Sequence, residues 1–329
     1  MTGAVQIKLE IVSFPLKEPF IITGHTFTTT DTVRVTLEKD GYVGRGEAVG
    51  SYYLNETAES MLADLQAILP SLEQGIDRAK IQNLLPACGA RNALDCAYWD
   101  LEAKLSGRRV WDILGQSVQP LTTVCTIGIG AADYMAEKAA AYTAFPNLKI
   151  KLDNDQPIEK LEAIRRARPD AKLIIDVNQG WSFEELQAHA PACAKLDIAM
   201  IEQPLARGGD EQLEGYKSPV PLGADESCLS LAEYAGVASW YDVINIKLDK
   251  CGGLTEGLEI AKAAQKDGKG LMVGNMTGSS LSMAPSFIVG QFCDFVDIDG
   301  PLLIAQDIDH GLDFQDGGLV SPPSQALWG

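Results

Sequence analysis

Histidine is scarce in this 329-residue chain: His25, His189 and His310 are its only three. A His-based triad or a three-His metal site is therefore a poor expectation, and acid–base chemistry falls to Lys, Asp and Glu. Basic charge is also short, with 27 Lys and Arg against 45 Asp and Glu and a net charge of -18. Nucleic acid and anionic membrane need a concentrated basic surface, so neither is expected as a partner. The seven cysteines are odd in number and form no C-x-x-C. That argues against a disulfide framework or a zinc site and suits reduced thiols in a cytoplasmic protein. No apolar run of about 18 residues suggests a membrane span. Residues 1–10 lack the basic head and apolar core of a secretory signal.

What remains is ordinary globular composition, 46% hydrophobic and 22% charged, in a chain long enough for a barrel and a smaller companion. Residues 4–14, 31–39 and 42–48 read as strands, the last two joined by the hairpin signal Lys39-Asp40-Gly41. Polar loops are expected at residues 22–26 and 50–53. Helices follow from near Asn55 to Pro70 and over residues 88–105, the second stopped by Ser106-Gly107. Strands followed by helices predict a small α+β domain over residues 1–118.

From about residue 122 short apolar runs alternate with helical stretches. The runs end near Ile127, Lys151, Asp176, Glu202, Asp225, Lys247, Gly274 and Asp297, at separations of 22 to 27 residues. Eight such units predict a (β/α)₈ barrel over 119–300. The absence of G-x-G-x-x-G or G-x-x-x-x-G-K after any run argues against a doubly wound nucleotide-binding sheet. Residues 301–329, rich in Pro and Gly, are expected to be irregular and to pack back onto the first domain.

In such barrels chemistry sits where the strands end. Lys149 and Lys151 lie two apart and so share one face of a strand. Asp176, Glu202 and Asp225 close the next three runs. One Asp at a strand end is usually a helix cap. Three carboxylates converging from consecutive strands repel unless a cation joins them. With no His or Cys in the set, a hard ion such as Mg²⁺ is the expected occupant. Lys247 ends the sixth run, opposite Lys151 on the second. Lys149, a like charge beside Lys151, is expected to lower its pKa towards that of a base.

These residues resemble the enolase superfamily in its muconate-lactonizing-enzyme-like subgroup, over nearly the whole chain. Within the subgroup the nearest resemblance is to dipeptide epimerases of the L-Ala-D/L-Glu type. It is carried by Lys149-x-Lys151, Asp176, Glu202, Asp225 and Lys247, by Ala90–Ala97, by Ala224–Cys228, by Asn245–Lys250 with Gly252-Gly253-Leu254, and by Asp297-x-Asp299-Gly300. The resemblance implies an Mg²⁺-dependent isomerase that inverts the α-carbon of a dipeptide's C-terminal residue through an ene-diolate. Lys151 and Lys247 would move the proton, with Lys149 beside them, and Asp297 and Asp299 would bind the substrate's ammonium. The two N-terminal loops would cap the mouth and offer Thr23, His25 and Tyr52 to the substrate. Relatives acting on Ala-Glu often carry an Arg in the first loop; Ile22–Phe27 has none. Either His25 supplies a cation there, or Phe27, Tyr52 and Tyr53 make an apolar wall. An N-acylamino acid racemase, an o-succinylbenzoate synthase or a cycloisomerase is the alternative. The expected partner is a small molecule, and a homo-oligomer is left open.

Overall fold

The computed structural model describes residues 5–72, 75 and 77–329; residue 4, the expected start of the first strand, lies outside them. Three antiparallel strands open the chain: β1 (Gln6–Ile22), β2 (His25–Lys39) and β3 (Tyr42–Val49). β1 and β2 pair as far as Ile22 with His25, so the expected polar loop is a two-residue turn, Thr23-Gly24. Gly24 takes the left-handed φ of 76° that a tight hairpin needs. The extra strand length is hidden in the sequence because residues 26–32 are largely Thr, which pairs well but shows no apolar alternation.

A single 3-10 turn, Tyr52–Leu54, stops at Asn55, whose φ is 57°. Helix α1 (Ala58–Leu72) therefore begins later than expected, and it continues past Pro70 because one missing amide near its end leaves the other bonds intact. α2 (Arg78–Leu84), α3 (Gly89–Ser106) and α4 (Val110–Leu114) complete the cap. Val33, Val35, Leu37, Met61, Leu65, Ile81, Leu94 and Leu101 form its core. α3 presses directly on β3: a Cβ at Gly46 would lie 2.1 Å from Ala93 O, which explains glycine there.

After the short β4 (Leu121–Thr122), eight parallel strands follow in spatial order. They are β5 (Cys125–Ile127), β6 (Asn147–Lys151), β7 (Lys172–Asp176), β8 (Ile198–Glu202), β9 (Leu222–Ala224), β10 (Val243–Ile246), β11 (Gly270–Val273) and β12 (Phe295–Val296). Val124 N–H donates to Val296 O at 2.9 Å, which brings the first and last strands together as a closed ring. The regular alternation has two exceptions among the described residues. A 3-10 turn (Asp210–Leu213) replaces the helix after β8, and only a four-residue helix (Gly300–Leu303) follows β12.

Alternation within each strand sorts the side chains. Leu148, Ile150, Leu173, Ile175, Ile201, Ile244 and Ile246 face outward into the large core shared with the surrounding helices. Val124, Ile174, Met200, Val243 and Met272 face inward and plug the barrel. Lys149, Lys151, Asp176, Glu202 and Asn245 keep the same inward parity nearer the strand ends. The C-terminal segment is more regular than expected: β13 (Phe314–Gln315) and β14 (Leu319–Val320) form a small sheet with β4. Beyond it, Trp328 Nε1 donates to Cys96 O at 2.9 Å and Gly329 N to Asp100 Oδ1 at 2.6 Å, fastening this segment to α3.

No described helix is long and apolar enough to cross a membrane. All seven cysteines are free thiols.

Candidate active site

The strand ends gather Asp176, Glu202 and Asp225, fully buried, with one oxygen from each within 4.8 Å of the others. Each lies where period-two alternation directs it: Asp176 and Glu202 are the last residues of β7 and β8, and Asp225 directly follows β9. Four lysines surround them. Lys149 Nζ lies 2.8 Å from Asp297 Oδ2, 2.9 Å from Glu202 Oε2 and 3.1 Å from Asp176 Oδ2. Lys151 Nζ lies 2.6 Å from Asp176 Oδ2 and donates to Asn178 Oδ1 at 3.1 Å. Lys247 and Lys250 approach the two oxygens of Asp225, each at 2.6 Å.

Burial disfavours every one of these charges, yet the lysines outweigh it at Asp176 and Asp225 and hold both carboxyls below their ordinary range. Glu202 goes the other way: burial, with Asp176 beside it, pushes its carboxyl up. Lys149 is buried too, but Asp297, Glu202 and Asp176 keep its ammonium well above the usual lysine range. Lys149 and Lys151 therefore do not meet as a bare like-charge pair. Asp176 Oδ2 stands within 3.1 Å of both, so Lys149 is a cation bound among carboxylates.

The donor set fits a hard divalent cation. All three candidate ligands are carboxylates, and neither Glu202 Oε2 nor Asp225 Oδ2 accepts a well-formed hydrogen bond despite the nearby ammoniums. Six buried carboxyls (residues 176, 202, 225, 226, 297 and 299) face four buried lysines (149, 151, 247 and 250). Acidic groups therefore outnumber basic ones by two in this cluster.

Above this cluster lies a cleft of about 330 Å³ between barrel and cap. Lys151, Asn178, Glu226 and Lys247 form its barrel side, and Phe27, Tyr52 and Tyr53 are among its cap residues. Lys151 ends the second barrel strand and Lys247 follows the sixth, on opposite sides of the ring. Lys250, Glu226, Asn178 and Asn245, whose Nδ2 donates to Glu202 Oε1 at 2.6 Å, are polar groups at this site that escape a reading of the sequence. The inward parity of Asn245, two before Lys247, is the signal that could have found it. Glu226 lies in a turn and Lys250 in the four-residue helix Leu248–Cys251, beyond the strand ends where parity gives a direction.

Asp297 and Asp299 are buried beside the cluster but line none of that cleft. Asp297 meets Lys149, and its Oδ1 accepts from Asn275 Nδ2 at 2.8 Å. Asp299 accepts from Thr126 N at 2.7 Å; burial and then Asp297 raise its pKa. The loop residues divide. Tyr52 lines the cleft. Thr23 does not: its hydroxyl lies 2.9 Å from Leu152 O and 3.0 Å from Val177 O, so it latches the hairpin tip to the barrel. His25 is exposed and meets Tyr52 edge-on, with ring centroids 4.4 Å apart, outside the cleft lining.

Comparison with known proteins agrees with this architecture. Residues 4–115 match the model for the mandelate racemase / muconate lactonizing enzyme N-terminal domain, and residues 132–324 that for the enolase C-terminal domain-like family. The chain is 38% identical to the L-Ala-D/L-Glu epimerase of Escherichia coli over 95% of this chain and 98% of that protein. It is 40% identical to an N-acetyl-D-glutamate racemase from a Pseudoalteromonas species, over 90% and 94% of the two chains. A solved enolase family member from Agrobacterium tumefaciens, with homology to dipeptide epimerases and bound sodium and L-Ala-L-Glu, superposes with a TM-score of 0.96. It is 41% identical, over 99% of this chain and 100% of that one. Other solved dipeptide epimerases carry Mg and a dipeptide. The protein belongs to the mandelate racemase / muconate lactonizing enzyme family of the enolase superfamily.

Proposed function

We propose that this chain is an Mg²⁺-dependent dipeptide epimerase that inverts the α-carbon of the C-terminal residue. The observation that carries the reading is the pair Lys151 and Lys247, set on opposite sides of one cleft beside three converging carboxylates. Asp176, Glu202 and Asp225 are the residues that hold the metal. When bound there, Mg²⁺ acts as a Lewis acid on the substrate carboxylate and offsets the charge that grows on it as the α-proton leaves. Lys151 takes that proton on one face and Lys247 delivers one to the other; in the reverse direction they exchange roles. Lys149, ringed by carboxylates, keeps a fixed positive charge at the back of the site. Asp297 and Asp299 offer carboxylates to a free ammonium, which would compete with Lys149 for Asp297. Tyr52 contacts the substrate side chain, with Thr23 and His25 shaping the cap behind it.

In this reading residues 1–118 are the cap, 119–300 the barrel and 301–329 the segment that returns to the cap. The substrate is a free small molecule, and free buried thiols support a cytoplasmic setting.

The test is incubation with Mg²⁺ and a pool of L,L-dipeptides in D₂O. The expected result is one deuteron at the C-terminal α-carbon and a growing L,D product. No α-deuteration by folded, metal-loaded protein would sink the proposal. A second reading, N-acylamino acid racemase, is favoured by the Pseudoalteromonas relative. Those substrates lack a free ammonium, so turnover of an N-acyl amino acid that survives Asp297→Asn would favour it.

A further inference from the structure

We propose that Asn178 and Glu226 form a positioning pair whose hydrogen-bond chain holds one of the two proton-transfer lysines, Lys151, and does not reach the other, Lys247. The proposal rests on the epimerase reading for its assay and on geometry for its content. Lys151 Nζ has two side-chain partners, Asp176 Oδ2 at 2.6 Å and Asn178 Oδ1 at 3.1 Å. Asp176 belongs to the metal-binding set, where its oxygens also face Lys149. Asn178 is therefore the one of the two that stands outside that set and can be given over to holding the ammonium.

An amide in this place has its own orientation problem, because its oxygen and nitrogen are close to interchangeable in shape. Its two neighbours solve it. Asn178 Nδ2 donates to Glu226 Oε1 at 3.2 Å, and an ammonium can only donate, so the amide oxygen points to Lys151 and the nitrogen to Glu226. The backbone adds a second constraint. Asn178 and Gln179 both take left-handed φ, 45° and 68°, and that turn is tied down on three sides. Asn178 N donates to Asp176 Oδ1 at 3.0 Å, Gln179 N to Gln203 O at 2.8 Å and Gly180 N to Val177 O at 3.0 Å. Asn tolerates left-handed φ better than most residues, which reconciles a tight turn with a side chain that has work at its tip. Both residues of the pair line the cleft, and Glu226 Oε2 accepts no hydrogen bond from protein.

Among the described residues Lys247 has no such hydrogen-bonded amide. The ion-pair partner found for it is Asp225, itself in the metal-binding set. The two faces of the site are thus built differently, although the net reaction treats them alike. Removing the amide should harm proton transfer on the Lys151 face alone.

Asn178→Gly tests this, since glycine keeps the left-handed turn and deletes the amide. The readout is face-resolved α-deuterium exchange from each diastereomer, with the Lys151 face defined as the one silenced by Lys151→Ala. Exchange on that face should fall about 10- to 100-fold, the scale of a misplaced catalytic group. Exchange on the Lys247 face should change less than about threefold by the same argument, with KM nearly constant. Glu226→Ala should act in the same direction, and Glu226→Gln should lose less because its amide oxygen still accepts from Asn178. Equal slowing of both faces would overturn the proposal, as would no slowing in Asn178→Gly. A readout without turnover keeps the test separate from the choice of substrate: the side-chain ¹⁵Nζ signal of Lys151, assigned by its loss in Lys151→Arg, should broaden in Asn178→Gly while that of Lys247 does not. If wild type deuterates no dipeptide, the epimerase reading fails and this signal still decides the pairing; unchanged Lys151 line shape would refute it.

Discussion

The barrel mouth and the cap wall meet across one cleft, yet they are made in opposite ways. On the barrel side every ionisable group is buried and held by a charged or amide neighbour, and four lysines interleave with six carboxyls. On the cap side Phe27 and Tyr52 are half-buried and meet each other by ring edges, and the hairpin tip is latched by one hydroxyl. A network that dense tolerates no change in charge, whereas an aromatic wall can be altered in shape at small cost to the fold. In the proposed reading, this difference separates the reaction from the choice of substrate: the barrel would do the chemistry and the cap would select what enters.

The largest effect should come from breaking the barrel side. Lys151→Ala and Lys247→Ala should each lower epimerisation by at least about 10²- to 10⁴-fold, the usual worth of a positioned acid or base. Each should silence exchange from one diastereomer, measured by NMR in D₂O. Chelation should abolish turnover, with recovery on adding Mg²⁺. Next comes Lys250→Met. It leaves Asp225 buried with one ammonium fewer, and urea unfolding of the metal-free protein should show a loss of about 3 kcal/mol.

The cap side should give less. Thr23→Val removes the latch but keeps the shape, and KM should rise a few-fold for about 1 kcal/mol of lost hydrogen bonding while kcat holds. A fall in kcat as large as that of the lysine variants would erase the distinction between the two walls. Smallest is an effect at the seam between them. Burial raises Asp249 to about 7 and Asp95 to about 6. Both folded values lie above the unfolded one, so the folded state binds more protons. Their stabilising contribution is complete below about pH 4 and is lost as pH rises towards 7. Asp249→Asn, which can still accept from Val49 N and Asn92 Nδ2, should flatten that slope and gain on the order of 1 kcal/mol at pH 8 in thermal melts.

The barrel is far more legible in the sequence than the cap. Its strands end within one residue of the positions read from the apolar runs, because six of the eight runs carry a buried charged residue at the tip as a marker. Inward parity then places Lys149, Lys151, Asp176 and Glu202 without further information. The β1–β2 hairpin is misread because Thr-rich polar sequence resembles loop, and only pairing across Ile22 and His25 reveals a strand. His25 cannot be placed at all from its chemistry: it lies outside the cleft lining, edge-on to Tyr52, a contact distant in sequence. Glu226 and Lys250 share this fate for a different reason: they lie past the strand ends, in a turn and a four-residue helix, where strand parity gives no direction.

The cap and barrel also meet through α3. Arg91 Nε and Nη2 donate to Gly252 O at 3.1 Å and Cys251 O at 2.7 Å and pair with Glu256. Asn92 reaches Asp249, Thr255 Oγ1 donates to Asp95 Oδ1 at 2.6 Å, and Trp99 Nε1 donates to Thr255 Oγ1 at 2.9 Å. Recombination between relatives would meet this lock first. A cap exchanged without residues 249–256 would leave Arg91 and Asp95 facing strangers, so an inherited preference for one substrate travels with a stretch of barrel more than a hundred residues away in the chain.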